Sequence, residues 1–341
     1  MKLEETIIIL PKSKIKAGDG KKEGKYLLYR SSNKIDTYYD EYLLDEEVII
    51  IGTGGNPSIH YNIGKCAYTT QCLAITSKGT LKNKYIYYYL LSQLDRIQNM
   101  FRGMTIKQLD KKEFFKLDIP IIEVDIQDKI IENLDIITNN IQSKKEQLKK
   151  LEQLVKSQFV EMFGNIHFND RKWNKNKWRD VLIIKNGKNQ KKVESFNGKY
   201  PIYGSGGIIG FANDYICNEN SIIIGRKGSI NKPILVKTKF WNVDTAFGLE
   251  PIKEKIKADY LYYFCCFYNF EKHNKTVTIP SLTKKDLLNI EIPIPPITLQ
   301  NEFSEIVKQI DKQKFEIEKS LKETQELYES LINEYFKGDM R

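Results

Sequence analysis

No apolar run in the 341-residue chain approaches the roughly 18 consecutive residues that a membrane-spanning helix needs. Glu4 and Glu5 interrupt the stretch where a secretion signal would be apolar, so no leader is expected. Histidine is scarce. His60, His167 and His273 are the whole set, and none is spaced with a cysteine or carboxylate as a metal ligand, so no metal is expected. The five cysteines (Cys66, Cys72, Cys217, Cys265, Cys266) form no C-x-x-C pair and read as buried, reduced thiols of a cytoplasmic protein.

Signatures of catalysis are also missing. Gly64-Lys65-Cys66 and Gly198-Lys199-Tyr200 lack the Ser or Thr that would follow Gly-Lys in a phosphate-binding loop. Ile294-Pro295-Pro296-Ile297 lacks the Asp or Asn and the aromatic that flank Pro-Pro in amino-methyltransferases, and no G-x-G-x-x-G motif occurs. No carboxylate–lysine cluster of a nuclease stands out. These absences point to recognition rather than chemistry.

What is present is charge and repetition. Lys and Arg number 54 against 44 Asp and Glu, and the formal charge of +10 favours a polyanionic partner. The chain also repeats itself at an offset of 173 to 175 residues. Gly24-Lys25-Tyr26-Leu27-Leu28-Tyr29 returns as Gly198-Lys199-Tyr200-Pro201-Ile202-Tyr203, and Ile49-Ile50-Ile51-Gly52 as Ile222-Ile223-Ile224-Gly225. Tyr85-Ile86-Tyr87-Tyr88 returns as Tyr260-Leu261-Tyr262-Tyr263, Ile119-Pro120 as Ile292-Pro293, and Gln127 as Gln300.

Each half ends in a long amphipathic stretch, residues 125–163 and 298–336. In the first, Ile130, Leu134, Ile137, Ile141, Leu148, Leu151, Val155 and Met162 follow the alternating four- and three-residue spacing of a coiled-coil seam, with polar breaks at Lys144 and Gln158. The second follows the same frame from Phe303 through Val307, Ile310, Ile317, Leu321, Tyr328 and Leu331 to Tyr335, with breaks at Lys314 and Thr324. Each helix would be about 60 Å long at 1.5 Å per residue. Asp125 and Thr298 are expected N-caps, and Gly164 and Gly338 expected stops. Within each half, residues 6–10, 48–51 and 221–224 read as strands, and the Tyr-rich runs 85–92 and 260–268 as helices against a sheet.

The sharpest local signals are two unlike glycine loops at matched positions, Gly52-Thr53-Gly54-Gly55-Asn56-Pro57-Ser58 and Gly225-Arg226-Lys227-Gly228-Ser229-Ile230-Asn231-Lys232. Glycine allows close backbone approach and leaves N–H groups for phosphate oxygens, and Arg226, Lys227 and Lys232 add charge that can reach guanine edges. A tight turn with solvated lysines is the plain alternative for one such loop, but recurrence on a basic chain favours binding. The candidate nucleic-acid contacts in the first half are Lys25, Tyr29, Arg30, Ser31, Thr53, Gly54, Gly55, Asn56, Ser58, Arg102 and Lys107. In the second half they are Lys199, Tyr203, Ser205, Arg226, Lys227, Gly228, Ser229, Asn231 and Lys232.

With these features in place, the chain resembles the specificity (S) subunits of Type I restriction–modification systems. Gly225-Arg226-Lys227-Gly228-Ser229 followed by Trp241-Asn242-Val243-Asp244-Thr245-Ala246 is very like the family's recurrent signature, and the loop at 52–58 matches its other common variant. Residues 109–120 and 282–293 are similar to the segment that leads into the family's conserved helices. One departure is the missing Trp at the start of the first half, present in the second as Trp178.

The resemblance implies an α+β protein with two pseudo-repeated α/β target recognition domains, joined by two long helices that form an antiparallel coiled coil. The domains would be 1–124 and 165–297, and the helices 125–164 and 298–338. It further implies that each domain reads one half of a bipartite, asymmetric site on double-stranded DNA, and that the helices set the gap and dock two modification (M) subunits. S-adenosylmethionine would belong to those subunits, ATP and Mg2+ to any restriction (R) subunits, and no cofactor or catalysis to this chain. No membrane partner is expected. The competing readings are a coiled-coil assembly adaptor with non-specific nucleic-acid affinity and a free-standing nuclease or methyltransferase.

Overall fold

The computed structural model describes residues 1–105, 107–274 and 280–336. Both halves fold on one plan. In the first, an antiparallel sheet runs in the order Ile7–Ile9, Cys72–Ser77, Val48–Gly52, Ser58–Asn62. In the second, Leu182–Asn186, Ala246–Pro251, Ser221–Gly225 and Ile234–Val236 take the same order. The central strands are continuous apolar runs because both of their faces are covered: Val48 to Ile51 and Ile222 to Ile224 are completely buried.

A smaller sheet carries the next part of each repeat. Tyr26–Tyr29 lies parallel to Lys65–Tyr68, and Tyr200–Gly204 lies parallel to Trp241–Asn242. The Tyr-rich runs form helices Asn83–Ser92 and Ala258–Phe267. Their tyrosines at four-residue spacing face inward, Tyr85, Tyr89 and Tyr260 being fully or almost fully buried.

The opening tryptophan has a counterpart after all. A single helical turn, Leu3–Thr6, precedes the first strand as Trp178–Val181 precedes the equivalent strand. Leu3 N–H donates to the carbonyl of Leu117 (2.8 Å) and Trp178 N–H to that of Ile290 (2.9 Å), and both side chains are fully buried. A leucine fills the place of the indole. The segment before the long helix forms a strand, Glu291–Pro293, only in the second half; in the first it makes a single bridge, Lys2 to Asp118.

The long helices span Val124–Phe163 and Ile297–Phe336. They begin one residue earlier than the caps proposed from sequence, so Asp125 and Thr298 lie in the first turn. A buried glutamine fixes each start. Gln127 Oε1 accepts the Lys82 N–H (2.7 Å) while its Nε2 donates to the Ile122 carbonyl (3.0 Å). Gln300 Oε1 accepts the Lys257 N–H (2.8 Å) and its Nε2 donates to the Pro295 carbonyl (2.9 Å). Both glutamines are completely buried, and each joins the long helix to the start of the Tyr-rich helix. Gly164 stops the first helix with φ +80°, a conformation glycine adopts without strain. Gly338 lies outside the described residues.

The compact units cut across the chain order. One comprises Met1–Lys145 and Lys319–Arg341, the other Glu146–Glu318. Each repeat is thus packed against the beginning of the helix that follows it and the end of the other helix. In the first unit Ile130, Leu134, Ile332 and Phe336 share the domain core, with Phe336 on Tyr85 (ring centroids 5.4 Å apart). In the second, Val155, Phe159 and Phe163 join Phe303, Val307 and Ile310, and Phe159 stacks on Tyr260 at 5.5 Å. The helix ends are therefore part of the domain cores.

Within each unit the two helical segments run antiparallel. Asn133 Nδ2 donates to Tyr335 Oη (3.0 Å), and eleven residues on Lys144 Nζ donates to Thr324 Oγ1 (2.7 Å). In the other unit Lys314 Nζ approaches Glu152 Oε1 at 4.0 Å. These contacts account for three polar breaks in the seam: Lys144 and Thr324 satisfy each other, and Lys314 reaches a carboxylate at the rim. The fourth, Gln158, donates instead to Glu161, and the buried position beside it is Phe159. At both helix ends the contact stripe leaves the seven-residue frame, at Phe159 and Phe163 and at Ile332 and Phe336, because there the helix packs on a domain rather than on its partner.

Candidate nucleic-acid interface

Each glycine loop is held from two sides, and the holding groups repeat. In the first unit Leu109 N–H donates to the Thr53 carbonyl (2.9 Å) and Gly55 N–H to the Lys107 carbonyl (2.9 Å), around a bridge between Gly54 and Gln108. In the second, Leu282 N–H donates to the Arg226 carbonyl (2.9 Å) and Gly228 N–H to the Pro280 carbonyl (3.0 Å), around a bridge between Lys227 and Ser281. The other side is held by the turn that leads into the strand before the Tyr-rich helix. Thr53 N–H donates to the Gln71 carbonyl (2.8 Å), and Arg226 N–H donates to that of Thr245 (2.8 Å). Thr245, within the Asp-Thr-Ala run of the signature, supplies the carbonyl that anchors the loop. Asn242 of the same signature is fully buried, its Nδ2 donating to the Ala246 carbonyl (3.0 Å).

The Tyr-Ser segments close the platform. Ser31 Oγ accepts the Gly54 N–H (3.0 Å) and donates to the Gly54 carbonyl (2.5 Å). A side chain on Gly52 would meet Ser58 Oγ at 2.2 Å and Ser31 Oγ at 2.6 Å, so the approach requires glycine. In the second unit Ser205 Oγ lies 3.9 Å from where a Cβ on Gly228 would stand. Three stretches distant in sequence, around 31, 52–58 and 107–109 in one unit and around 205, 225–232 and 280–282 in the other, meet in each unit at one surface.

Not every candidate side chain reaches that surface. In the first unit Lys25, Gly55, Asn56, Arg102 and Lys107 are exposed, and Arg30 and Ser31 half-buried. Thr53, Gly54 and Ser58 are buried and form the loop's base. Tyr29 is buried too: its hydroxyl donates to Asn62 Oδ1 (3.1 Å), its ring lies against His60 at 5.2 Å, and burial pushes its pKa up to about 12. Stacking of Tyr29 on a base is excluded in this arrangement, because its ring fills the core between the two sheets. Arg30 is paired with Asp36 (2.6 Å) and Arg102 with Glu113 (3.1 Å). The Asp36 carboxyl is held below its usual range first by the Thr37 hydroxyl and then by Arg30.

In the second unit Lys199, Arg226, Lys227, Gly228, Asn231 and Lys232 are exposed, and Tyr203, Ser205 and Ser229 half-buried. Tyr203 packs edge-on against Phe240. Asn231 is a strut: its Oδ1 accepts the Phe270 N–H (2.8 Å) and its Nδ2 donates to Asn269 Oδ1 (3.2 Å). Ile106 and residues 275–279, which follow the Tyr-rich helices, lie outside the described residues. Gln108 and Ser281, the pairing partners of the loops, were absent from the sequence-derived set. The repeat offset relates them to each other, but nothing local marks either one.

The N–H groups of Thr53, Gly54, Gly55, Arg226, Lys227 and Gly228 all hold the loops in place, so the expected use of these groups for phosphate oxygens is not met, and the platform suits a ligand met by short polar side chains and exposed cations. Among the described residues, no group of three or more His, Cys, Asp or Glu is placed to hold a metal ion. The cysteines are free, and burial pushes the Cys66 and Cys217 thiols up to about 12, far from a reactive thiolate. No helix among the described residues is long and apolar enough to cross a membrane.

The "Type I restriction modification DNA specificity domain" family matches residues 1–153 and again 170–327, one match per repeat. The chain belongs to this family. It is a DNA specificity subunit of the type I restriction–modification class. It is 20% identical to the EcoDI specificity subunit of Escherichia coli over 395 aligned positions, which cover 98% of this chain and 87% of that one. A type I specificity subunit of Mycoplasma pneumoniae is 28% identical over 144 residues, 39% of this chain and 46% of that one, so that match spans about half of the relative. The crystal structure of a type I S subunit from M. genitalium shares the fold with a TM-score of 0.70 at 18% identity, covering 100% of this chain and 96% of that one.

Proposed function

We propose that this specificity subunit reads a bipartite, asymmetric site on double-stranded DNA, each repeat contacting one half-site through its own platform. The observation that carries this reading is the pairing of one scaffold with two different loops. The same hydrogen bonds hold Gly52-Thr53-Gly54-Gly55-Asn56 in one unit and Gly225-Arg226-Lys227-Gly228-Ser229 in the other, so the frame is common and the reading groups differ. Exposed lysines supply salt-dependent phosphate contacts, and a few loop side chains supply sequence choice.

In this reading the helices set the gap between half-sites and dock two modification subunits, with restriction subunits joining them. The chain itself catalyses nothing. S-adenosylmethionine serves the modification subunits, and ATP and Mg2+ serve the restriction subunits. The test is selection from random duplex DNA by the full chain co-purified with its modification subunits. Two short, different half-sites at a fixed separation are expected, and exchange of residues 1–124 for those of another family member should change only one of them. Binding that falls with salt but enriches no sequence would overturn the reading in favour of an assembly adaptor.

A further inference from the structure

The second repeat carries a feature that the first lacks. Strands Tyr200–Gly204 and Gly207–Ala212 form a tight hairpin whose outer strand is the edge of its sheet. The hairpin turns at Ser205 and Gly206, the end that meets Gly228 of the recognition loop. Gly207 has φ +133°, and both Gly206 and Gly207 face open space. Directly after this turn stand Ile208 and Ile209, 56% and 54% exposed. Ile209 Cγ2 lies 3.6 Å from where a Cβ on Gly204 would be, so its side chain folds across the inner strand beside the tip.

Two large aliphatic side chains facing water, on a hairpin whose tip meets the cationic loop, are poorly matched to water alone. Arg226, Lys227 and Lys232 are exposed, and none is paired with a carboxylate among the described residues. Duplex DNA matches both features. Its phosphates meet the cations, its major groove admits a two-stranded β-ribbon, and the thymine 5-methyl is the apolar group displayed on a base edge there. Among the described residues, the first repeat has no such tight ribbon. There residues 30–37 separate Tyr26–Tyr29 from Tyr38–Tyr39, and the Arg30–Asp36 ion pair spans the connection.

We propose that the 200–212 hairpin enters the major groove and that Ile208 or Ile209 reads an A·T pair in the second repeat's half-site by contact with the thymine methyl. The proposal rests on the specificity reading above and names one of its reading groups.

The experiment uses the full chain with its modification subunits and a duplex bearing the selected site. Each thymine of the second repeat's half-site is replaced in turn by deoxyuridine, which removes only the methyl group. At one thymine the dissociation constant should rise about fourfold, the factor expected for one buried methyl. In Ile208→Ser or Ile209→Ser, affinity for the thymine duplex should fall by a similar factor and deoxyuridine should make no further difference. Ile→Val at the same position retains an apolar tip and should keep the discrimination. A chain that selects both half-sites yet is indifferent to deoxyuridine throughout would overturn this proposal alone. So would a penalty that persists undiminished in both serine variants. A chain that selects no half-site would remove the specificity reading and this proposal with it.

Discussion

Ser31 and Gly54 exchange two hydrogen bonds through one hydroxyl: Ser31 Oγ accepts the glycine N–H at 3.0 Å and donates to its carbonyl at 2.5 Å. The first recognition loop is tied by this contact to a strand end 23 residues earlier in the chain. Ser31→Ala should lower stability by about 1 kcal/mol and loosen the loop. Gly52→Ala, which would place a methyl 2.2 Å from Ser58 Oγ, should cost more, about 1–3 kcal/mol. Thermal unfolding of both variants, alongside selection from random duplexes, checks this. The first half-site should weaken or blur while the second remains unchanged.

The buried glutamines make a symmetric prediction. Gln127→Ala and Gln300→Ala each leave a part-buried backbone N–H, of Lys82 or Lys257, without its acceptor. Each substitution should cost about 1–3 kcal/mol. Equal losses at the two sites in denaturant unfolding would show that the joint has the same weight in both repeats.

Phe159 is fully buried and ringed by Phe163, Tyr260, Phe267 and Phe303. Phe159→Ala should destabilise the second unit by about 3–5 kcal/mol. Hydrogen exchange should rise in the core of residues 146–318, with little change in the strands of the first repeat.

His60 supplies a pH dependence. Burial lowers its pKa below the ordinary 6.5, opposed by the hydrogen bond to the Ser32 carbonyl (2.8 Å). The unfolded chain therefore binds more protons than the folded one near and below pH 6.5, and stability falls as pH falls through that region. The denaturation midpoint should be lower at pH 5.5 than at pH 7.5, and His60→Gln should flatten this difference.

The loop cations divide by role. Arg226→Ala should relax base preference in the second half-site, at a cost of about 1–3 kcal/mol in discrimination. Lys232→Ala, read as a phosphate contact, should weaken binding to all sequences and shallow the salt slope by about one. A base-specific effect of Lys232 together with a uniform effect of Arg226 would reverse these assignments.

Much of this architecture is legible in the chain. The offset that links Ile49-Ile50-Ile51-Gly52 to Ile222-Ile223-Ile224-Gly225 predicts two domains of one plan, and both strands sit at the same place in equivalent sheets. The spacing of Ile130, Leu134 and Ile137, repeated at Phe303, Val307 and Ile310, predicts the long helices because apolar periodicity is a local property. Burial of individual loop residues was not legible. Tyr29 and Tyr203 look alike in sequence, yet Tyr29 is in the core and Tyr203 half-exposed, because neighbouring strands determine which face is covered. The Trp178 position was also hidden in the first repeat, since Leu3 fills the same place with a different shape.

The sequence alone determined the repeat, the helical stripe and the position of two unlike glycine loops, because each depends on residue type and spacing along the chain. Tertiary structure alone decided that Gly55 meets Lys107 and Gly228 meets Pro280, and that the end of each long helix joins the core of the other repeat. Those contacts join segments about 50 or more residues apart, and the loop contacts are made by backbone groups that are the same in every residue. Their pairing is chosen by the packing of whole domains and leaves no local mark in the amino-acid string.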